Sequence, residues 1–501
     1  MEKRVFWFLL AFSFIVVPVF AGGSRASSAD MSELHIMIRN IGDATTNDNI
    51  IHRELERRTG LKLNFELRAG ANYSEATATV IASGNYPDAM EFDLSYPVEL
   101  QNMADDGILK PLDDLLTRYG PEFTPRVRPA NTYFVSTTDN KTYGVASRNF
   151  DFGTNEVIAI QKNWLDRLGL QIPKTSDEYF NVLTAFEANA ERLVGPNRRF
   201  VPHGSWSGKF EVTLLRYFMS ENQMIDGWNW VDGRLVHTVN MPAYRNVLQT
   251  ARRFYQAGLI EPEFPIMRSR DDALNRVLGN QYGAWDWYAD SFDAESSTFA
   301  LQLYTVLPEM RGNLAIVPYF QDVNGAFRFP QNITRRHMII FAKTPDEKAV
   351  NIMRLLNFIA SEEGFYLTEL GLEGDHYTRD NSGRITVREL SIEERASLGS
   401  WNYTWIAKRS YIPIVASDYV RNFMLNELSP AYGIESPLSY GNAQSRHGSA
   451  VSQVLGQYRS QLITQPNINF DALFNEMVAT WNSSGGAEIT REQNERYGGR
   501  P

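Results

Sequence analysis

The chain has 501 residues, of which 43% are hydrophobic and 22% charged, with a net charge of −10 and no cysteine. That length permits two or three domains with large cores, and that composition excludes a disordered chain. An acidic chain without a block of Lys or Arg argues against nucleic acid as a partner, and the missing Cys excludes disulfides as the source of stability.

Residues 1–21 read as a secretory signal peptide. Lys3 and Arg4 form a positive start, Val5 to Phe20 is apolar, and Val19-Phe20-Ala21 fits a cleavage site. The run is short for a membrane span and contains Pro18. Residues 22–31 read as a flexible leader. With no cysteine for lipid attachment, the expectation is a soluble periplasmic or secreted protein.

The mature chain opens with a strand over 34–39 and a helix over 47–59, capped by Asn47 or Asp48 and stopped by Gly60. A strand over 61–67, a helix over 73–82 and a short strand over 89–92 follow. This β-α-β-α-β order predicts a doubly wound start. Gly84, Asn85 and Pro87 end the second helix, and the chain leaves the third strand through Asp93 to Pro97. Ligands of open α/β sheets bind outside such strand ends. Short helices over 100–104 and 113–119, a hairpin and strand over 139–146, and an apolar strand over 155–161 come next. The spacing then predicts helices over 164–169, 175–189 and 212–219, with Thr175 or Ser176 as cap and Glu178 in capping-box position. Asp232-Gly233 predicts a hairpin over 228–237. Helices over 243–257 and 270–278 lead to a strand over 281–288, and a strand over 338–342 precedes a helix over 345–360. Helices over 392–399, 418–428, 443–462 and 470–482 close the chain.

Catalytic signatures are missing. The seven His residues show neither HxxxH nor HExxH spacing. Gly204-Ser205-Trp206-Ser207-Gly208 has Trp where a nucleophile elbow has Ser. Carboxylates are abundant enough for a glycosidase pair, which leaves an exported carbohydrate-active enzyme as an alternative.

Several segments, in order, resemble the family 1 extracellular solute-binding proteins of ABC importers, in the long-chain branch with lipoprotein-type and alginate-oligosaccharide binders. They are SGNYPDAMEFD at 83–93, DDGILKPLDDLL at 105–116, KTYGVA at 141–146 and QKNWLDRLGLQIPKTSDEYF at 161–180. GLIEPEF at 258–264, KAVNIMRLLNFIASEEG at 348–364, GLEGDHYTRDNSG at 371–383 and FNEMVATWNSSGGAEITREQNERYG at 474–498 continue the series. The resemblance implies an α/β fold with two lobes, of the type II periplasmic-binding-protein architecture, and a ligand cleft between them. It implies lobe 1 over 31–148 plus 330–400 and lobe 2 over 149–329 plus 401–501. It implies no cofactor and no enzymatic activity. The partners are a small-molecule or oligosaccharide ligand and the permease subunits of an ABC importer, and the protein acts as a monomer. Binding of peptides or other small solutes is a further alternative. Many relatives carry a calcium loop where this chain reads Glu187-Ala188-Asn189-Ala190-Glu191-Arg192; without a Gly in sixth place, and with Arg198 in place of the bidentate Glu, no metal is expected.

The aromatic share of 12%, with 10 Trp, exceeds what a core requires and suits a sugar-stacking surface. The candidate ligand residues are Tyr96 after the third strand, Arg148 and Asn149 after the 139–146 strand, and Trp206 in its small-residue loop. Arg335, with Arg336 beside it, precedes the 338–342 strand, and Trp401 and Tyr403 lie in the WNYTW run. Trp285 and Trp287 alternate on the 281–288 strand, with Asp286 between them as a carboxylate for sugar hydroxyls. Trp228 and Trp230 are expected to be structural.

Overall fold

The computed structural model describes residues 30–40, 47–69, 73–93, 97–123, 133–136, 138–146, 154–267, 270–289, 298–330, 336–381, 383, 385–388, 390–399, 403, 406–407, 417–429, 433–434 and 441–497. The expected signal peptide lies outside them, as do Tyr96, Arg148, Asn149, Arg335 and Trp401.

The strands run β1 (Glu33–Asn40), β2 (Lys62–Ala69), β3 (Ala89–Asp93), β4 (Tyr133–Val135), β5 (Thr142–Ala146), β6 (Glu156–Gln161), β7 (Val201–Gly204), β8 (Trp228–Val231), β9 (Arg234–His237), β10 (Tyr282–Tyr288), β11 (Leu314–Val317), β12 (Phe329–Pro330), β13 (Arg336–Ile340), β14 (Tyr377–Arg379), β15 (Ile385–Val387) and β16 (Gly433–Ile434). Two larger sheets result. One has the order β2-β1-β3-β13-β5-β4 and the other β11-β6-β10-β7.

The doubly wound start is present as expected. β1 pairs in parallel with both β2 and β3. The intervening helix Ile50–Thr59 begins at Asn49, whose side chain accepts from the His52 N–H at 2.8 Å, rather than at Asn47 or Asp48. It ends at Gly60 in the left-handed conformation, φ 71°. β13 then inserts antiparallel between β3 and β5. Its alternation buries Met338 and Ile340 in one core layer and Ile339 in the other.

The second sheet is wrapped by helices on both sides of the chain's return. Helix Ser176–Ala188 is capped by Thr175, which accepts from the Glu178 N–H at 3.2 Å, while Glu178 accepts from the Lys174 N–H at 2.7 Å. This helix packs so closely on β10 that a Cβ on Gly283 would strike the Phe186 ring. The helix ends at Asn189, where the sequence places its end, and a short helix Ala190–Val194 follows. β8 and β9 form the expected hairpin, with Asp232 at φ 48° and Gly233 at φ 75°. The C-terminal helices Asn442–Thr464 and Phe470–Trp481 join this second core through Val451, Leu462, Met477 and Trp481. Tyr403, Ile406 and Ala407 pack instead in the first core with Leu34 and Phe65.

Among the described residues no helix is long and apolar enough to cross a membrane.

Candidate functional site

Strand directions fix which sheet edges can meet. In the first sheet β1, β3 and β5 end, and β13 begins, on one edge. In the second sheet β7 and β10 end on one edge, where antiparallel β6 begins. The chain passes from the end of β5 to the start of β6, and later from β12 to the start of β13. The first crossing leaves one edge and enters the other; the second comes from β12, in the small β12–β16 sheet, and enters the first edge. This is the strand-end location where open α/β sheets bind ligands.

The first edge is ionic. Glu91 is 2% exposed, and Arg336 Nε lies 3.4 Å from its Oε1. The Arg39 N–H donates to Glu91 Oε2 at 3.4 Å, and the Tyr73 hydroxyl donates to the Glu91 carbonyl at 2.7 Å. Burial, and then the Glu91 charge, hold the Tyr73 phenol well above its usual range. Arg336 pairs across the ladder with Asp93. Next to it, His337 is 1% exposed, and neither ring nitrogen has a hydrogen-bond partner among the described residues. Burial pushes its imidazole down to about 3, with Asp93 opposing.

The second edge is aromatic, with Lys209 among its rings. Trp206 follows β7, and Trp287 and Tyr288 end β10. The Trp206 and Trp287 rings meet edge to face at 6.1 Å. Lys209 Nζ sits 3.4 Å from the Tyr288 ring centroid and 5.9 Å from that of Trp206, and it forms an ion pair with Glu156 at the start of β6. The Tyr319 hydroxyl donates to the Glu156 carbonyl at 3.1 Å. The loop is pinned from outside, since the Ser207 N–H donates to the Met267 carbonyl at 2.9 Å. Flat rings, a cation and a carboxylate are the groups a saccharide site combines, and here Trp206 and Trp287 hold theirs at 8% and 3% exposure at the margin of the second core.

The expected residues divide three ways. Trp206 and Trp287 are brought together at this edge. Trp285 is 2% exposed and packs in the second core, and its Nε1 has no hydrogen-bond partner among the described residues. Tyr403 is 0% exposed in the first core; its ring packs on Phe65, and its hydroxyl accepts from Asn49 Nδ2 at 2.8 Å. That side chain is fully occupied within the first core. Asp286, expected to meet sugar hydroxyls, is 0% exposed with Ser205 and His203 on its two oxygens. Trp228 is buried against His237, as a structural residue should be.

Sequence reasoning missed Lys209, Tyr288, Glu156 and the Arg39–Glu91 contact. A lysine usually reads as solvated surface, and only the fold shows this one at 3% exposure. Among the described residues no cluster of His, Asp and Glu could hold a metal ion.

The sequence profile of the bacterial extracellular solute-binding proteins matches residues 43–364. The fructooligosaccharide ABC transporter substrate-binding protein FusA of Streptococcus pneumoniae is 24% identical over 280 residues, which is 53% of this chain and 50% of FusA. The alignment thus spans about half the length of that relative. The polygalacturonan/rhamnogalacturonan-binding protein YtcQ of Bacillus subtilis is 21% identical over 470 residues, covering 89% of this chain and 87% of YtcQ. Among solved structures, FusA in complex with kestose superposes with a TM-score of 0.65 at 17% identity, covering 93% of this chain and 99% of FusA's. The HMO-binding solute-binding protein of Bifidobacterium longum infantis gives 0.69 at 16% identity over 93% of this chain and 98% of its own. At these identities the structures establish the shared two-lobe α/β fold. The sequence match establishes more: the chain belongs to the bacterial extracellular solute-binding protein family.

Proposed function

We propose that this protein captures an oligosaccharide in the cleft between its lobes and delivers it to the permease of an ABC importer. The observation that carries this reading is the cluster of Trp206, Trp287 and Tyr288 around Lys209 at the edge where the chain crosses between sheets. The named ligands of FusA and YtcQ, both glycans, support it. Trp206 at 8% exposed and Trp287 at 3% lie in the second core in this arrangement, and in this reading lobe opening bares their ring edges to the glycan. Tyr96, Arg148, Asn149 and Arg335 belong to segments that leave or enter the same edges, and we assign them to the ligand shell. In this reading the protein is an exported monomer with a cleaved signal peptide, and it binds its glycan without cutting it.

A thermal-shift panel of kestose, an oligogalacturonate, Man5GlcNAc and a set of short peptides tests the proposal. A ligand of the native state raises the midpoint according to RT ln(1 + [L]/Kd). A glycan should shift the midpoint, be recovered intact, and reduce the radius of gyration in solution scattering. A shift by peptides alone, or recovery of shortened glycans, sinks it.

A further inference from the structure

We infer that a buried polar chain, Tyr179–His203–Asp286–Ser205, is a positioning device that sets the Trp206 loop against β10. All four side chains are 0% exposed. Tyr179, on helix Ser176–Ala188, lies with its hydroxyl 2.6 Å from His203 Nδ1. His203 Nε2 is 3.3 Å from Asp286 Oδ1, within ion-pair distance but off the line of a hydrogen bond. The other carboxylate oxygen accepts from the Ser205 hydroxyl. The chain thus joins a helix, β7, β10 and the first residue of the loop that carries Trp206.

Its surroundings are apolar: Tyr217, Phe254 and Phe320 pack on or beside Tyr179. A carboxylate in such a core costs several kcal/mol unless it is paired. Apolar side chains of similar volume would hold the core together at least as well. What such a polar chain adds is a fixed geometry at its two hydrogen-bonded links, Tyr179–His203 and Ser205–Asp286, because each accepts only certain partner positions. The β7 backbone gives it a rigid base, with the His203 N–H donating to the Leu259 carbonyl at 3.0 Å and its carbonyl accepting from Glu261 at 2.8 Å. Beyond Ser205 the Trp206 carbonyl accepts from the N–H groups of Lys209 and Phe210 at 3.0 and 3.1 Å. Trp206 is therefore held between the Ser205–Asp286 contact and the first turn of the next helix. The device acts through Trp206, and so its effect on binding rests on the glycan reading above.

Two measurements on the full-length protein test it. The first needs no ligand: amide exchange followed by mass spectrometry. Ser205→Ala should speed exchange over residues 205–208 by about tenfold while helix Tyr244–Gln256 keeps its protection. Unchanged exchange at 205–208, or faster exchange throughout the second lobe, overturns the inference. The second is affinity for whichever glycan of the panel shifts the midpoint most. Ser205→Ala should weaken it about tenfold, and that loss should vanish in a Trp206→Phe background. Asp286→Asn in the parent keeps an acceptor for Ser205 and should retain most of the affinity. An equal loss from Ser205→Ala in both backgrounds shows that Ser205 does not act through Trp206. Should Trp206→Phe alone leave affinity unchanged, the glycan reading fails, and the exchange experiment still decides whether the loop is held this way.

Discussion

The two sheet edges solve the problem of polar groups at a strand end in opposite ways. On the first, Arg39, Arg336, Glu91 and Asp93 balance one another, two cations against two carboxylates. On the second, aromatic rings surround a single Lys209–Glu156 pair. An ionic edge is directional and sensitive to which partner is removed, whereas an aromatic edge offers area and tolerates many ring orientations. A cleft that pairs the two can bind a sugar by its apolar face on one side and its hydroxyls on the other.

The largest effect should separate the aromatic edge from the core behind it. Trp285→Ala is expected to lower unfolding free energy by ~3–5 kcal/mol in chemical denaturation. Trp285→Phe should cost far less, since the indole N–H it removes has no partner to lose. A small loss from Trp285→Ala would move that residue from the core to the edge.

On the ionic side, Arg336→Ala leaves the buried Glu91 carboxylate without its guanidinium contact and should cost about 3 kcal/mol. Arg336→Met combined with Glu91→Met should recover most of that loss, because both desolvation costs disappear together. If the single and double variants are equally unstable, the pair is not what balances this edge.

Beside that pair, His337 makes the first lobe sensitive to acid. The unfolded chain takes up a proton on this ring below the usual 6.5, the folded chain only near 3. Between those values the unfolded state binds more protons, so stability falls as pH falls, by roughly 1.4 kcal/mol for each pH unit below 6.5. His337→Leu should flatten the decline of melting temperature between pH 6 and 4, and with no hydrogen bond to lose it should be nearly neutral at pH 7. An unaltered pH profile would place the acid sensitivity elsewhere.

The smallest expected effect on stability comes from the aromatic edge itself. Trp206→Phe keeps an apolar ring in place and should melt within a few degrees of the parent. Glycan affinity should drop about tenfold, or ~1.4 kcal/mol. A parent-like affinity would remove Trp206 from the ligand face and with it the glycan reading proposed above.

Much of the fold was legible in the residues, and the reasons are local. Gly60 and Thr175 mark helix ends because their backbone or side chain satisfies groups the helix leaves open. The Asp232-Gly233 turn is legible because few residues accept positive φ. β7 was not legible: it is four residues long, contains Pro202, and exists because β10 and residue 260 flank it. β11 is equally short, and helix Glu362–Leu370 follows the previous helix with only Ser361 between. The site was less legible still. Trp206 and Trp287 stand 81 residues apart and meet only because β7 and β10 run in parallel register, Gly204 beside Trp285. The same alternation that suggested Trp285, Asp286 and Trp287 as one ligand face could not tell a buried strand from a half-exposed one. The burial of Asp286 against His203 is a tertiary fact.

The position of β13 bears on how the molecule is made. It lies between β3 and β5, yet the whole second sheet is encoded between β5 and β13. During synthesis the first lobe cannot close its sheet until residue 340 has emerged, long after the strands on either side of it. β3 and β5 wait as unpaired edges through that interval, while the second sheet, contiguous in sequence, can assemble at once. Pairings of such wide separation are slow and leave strands open to wrong partners. Folding should therefore proceed from the inner segment outward, with the arrival of β13 as its late and slow step.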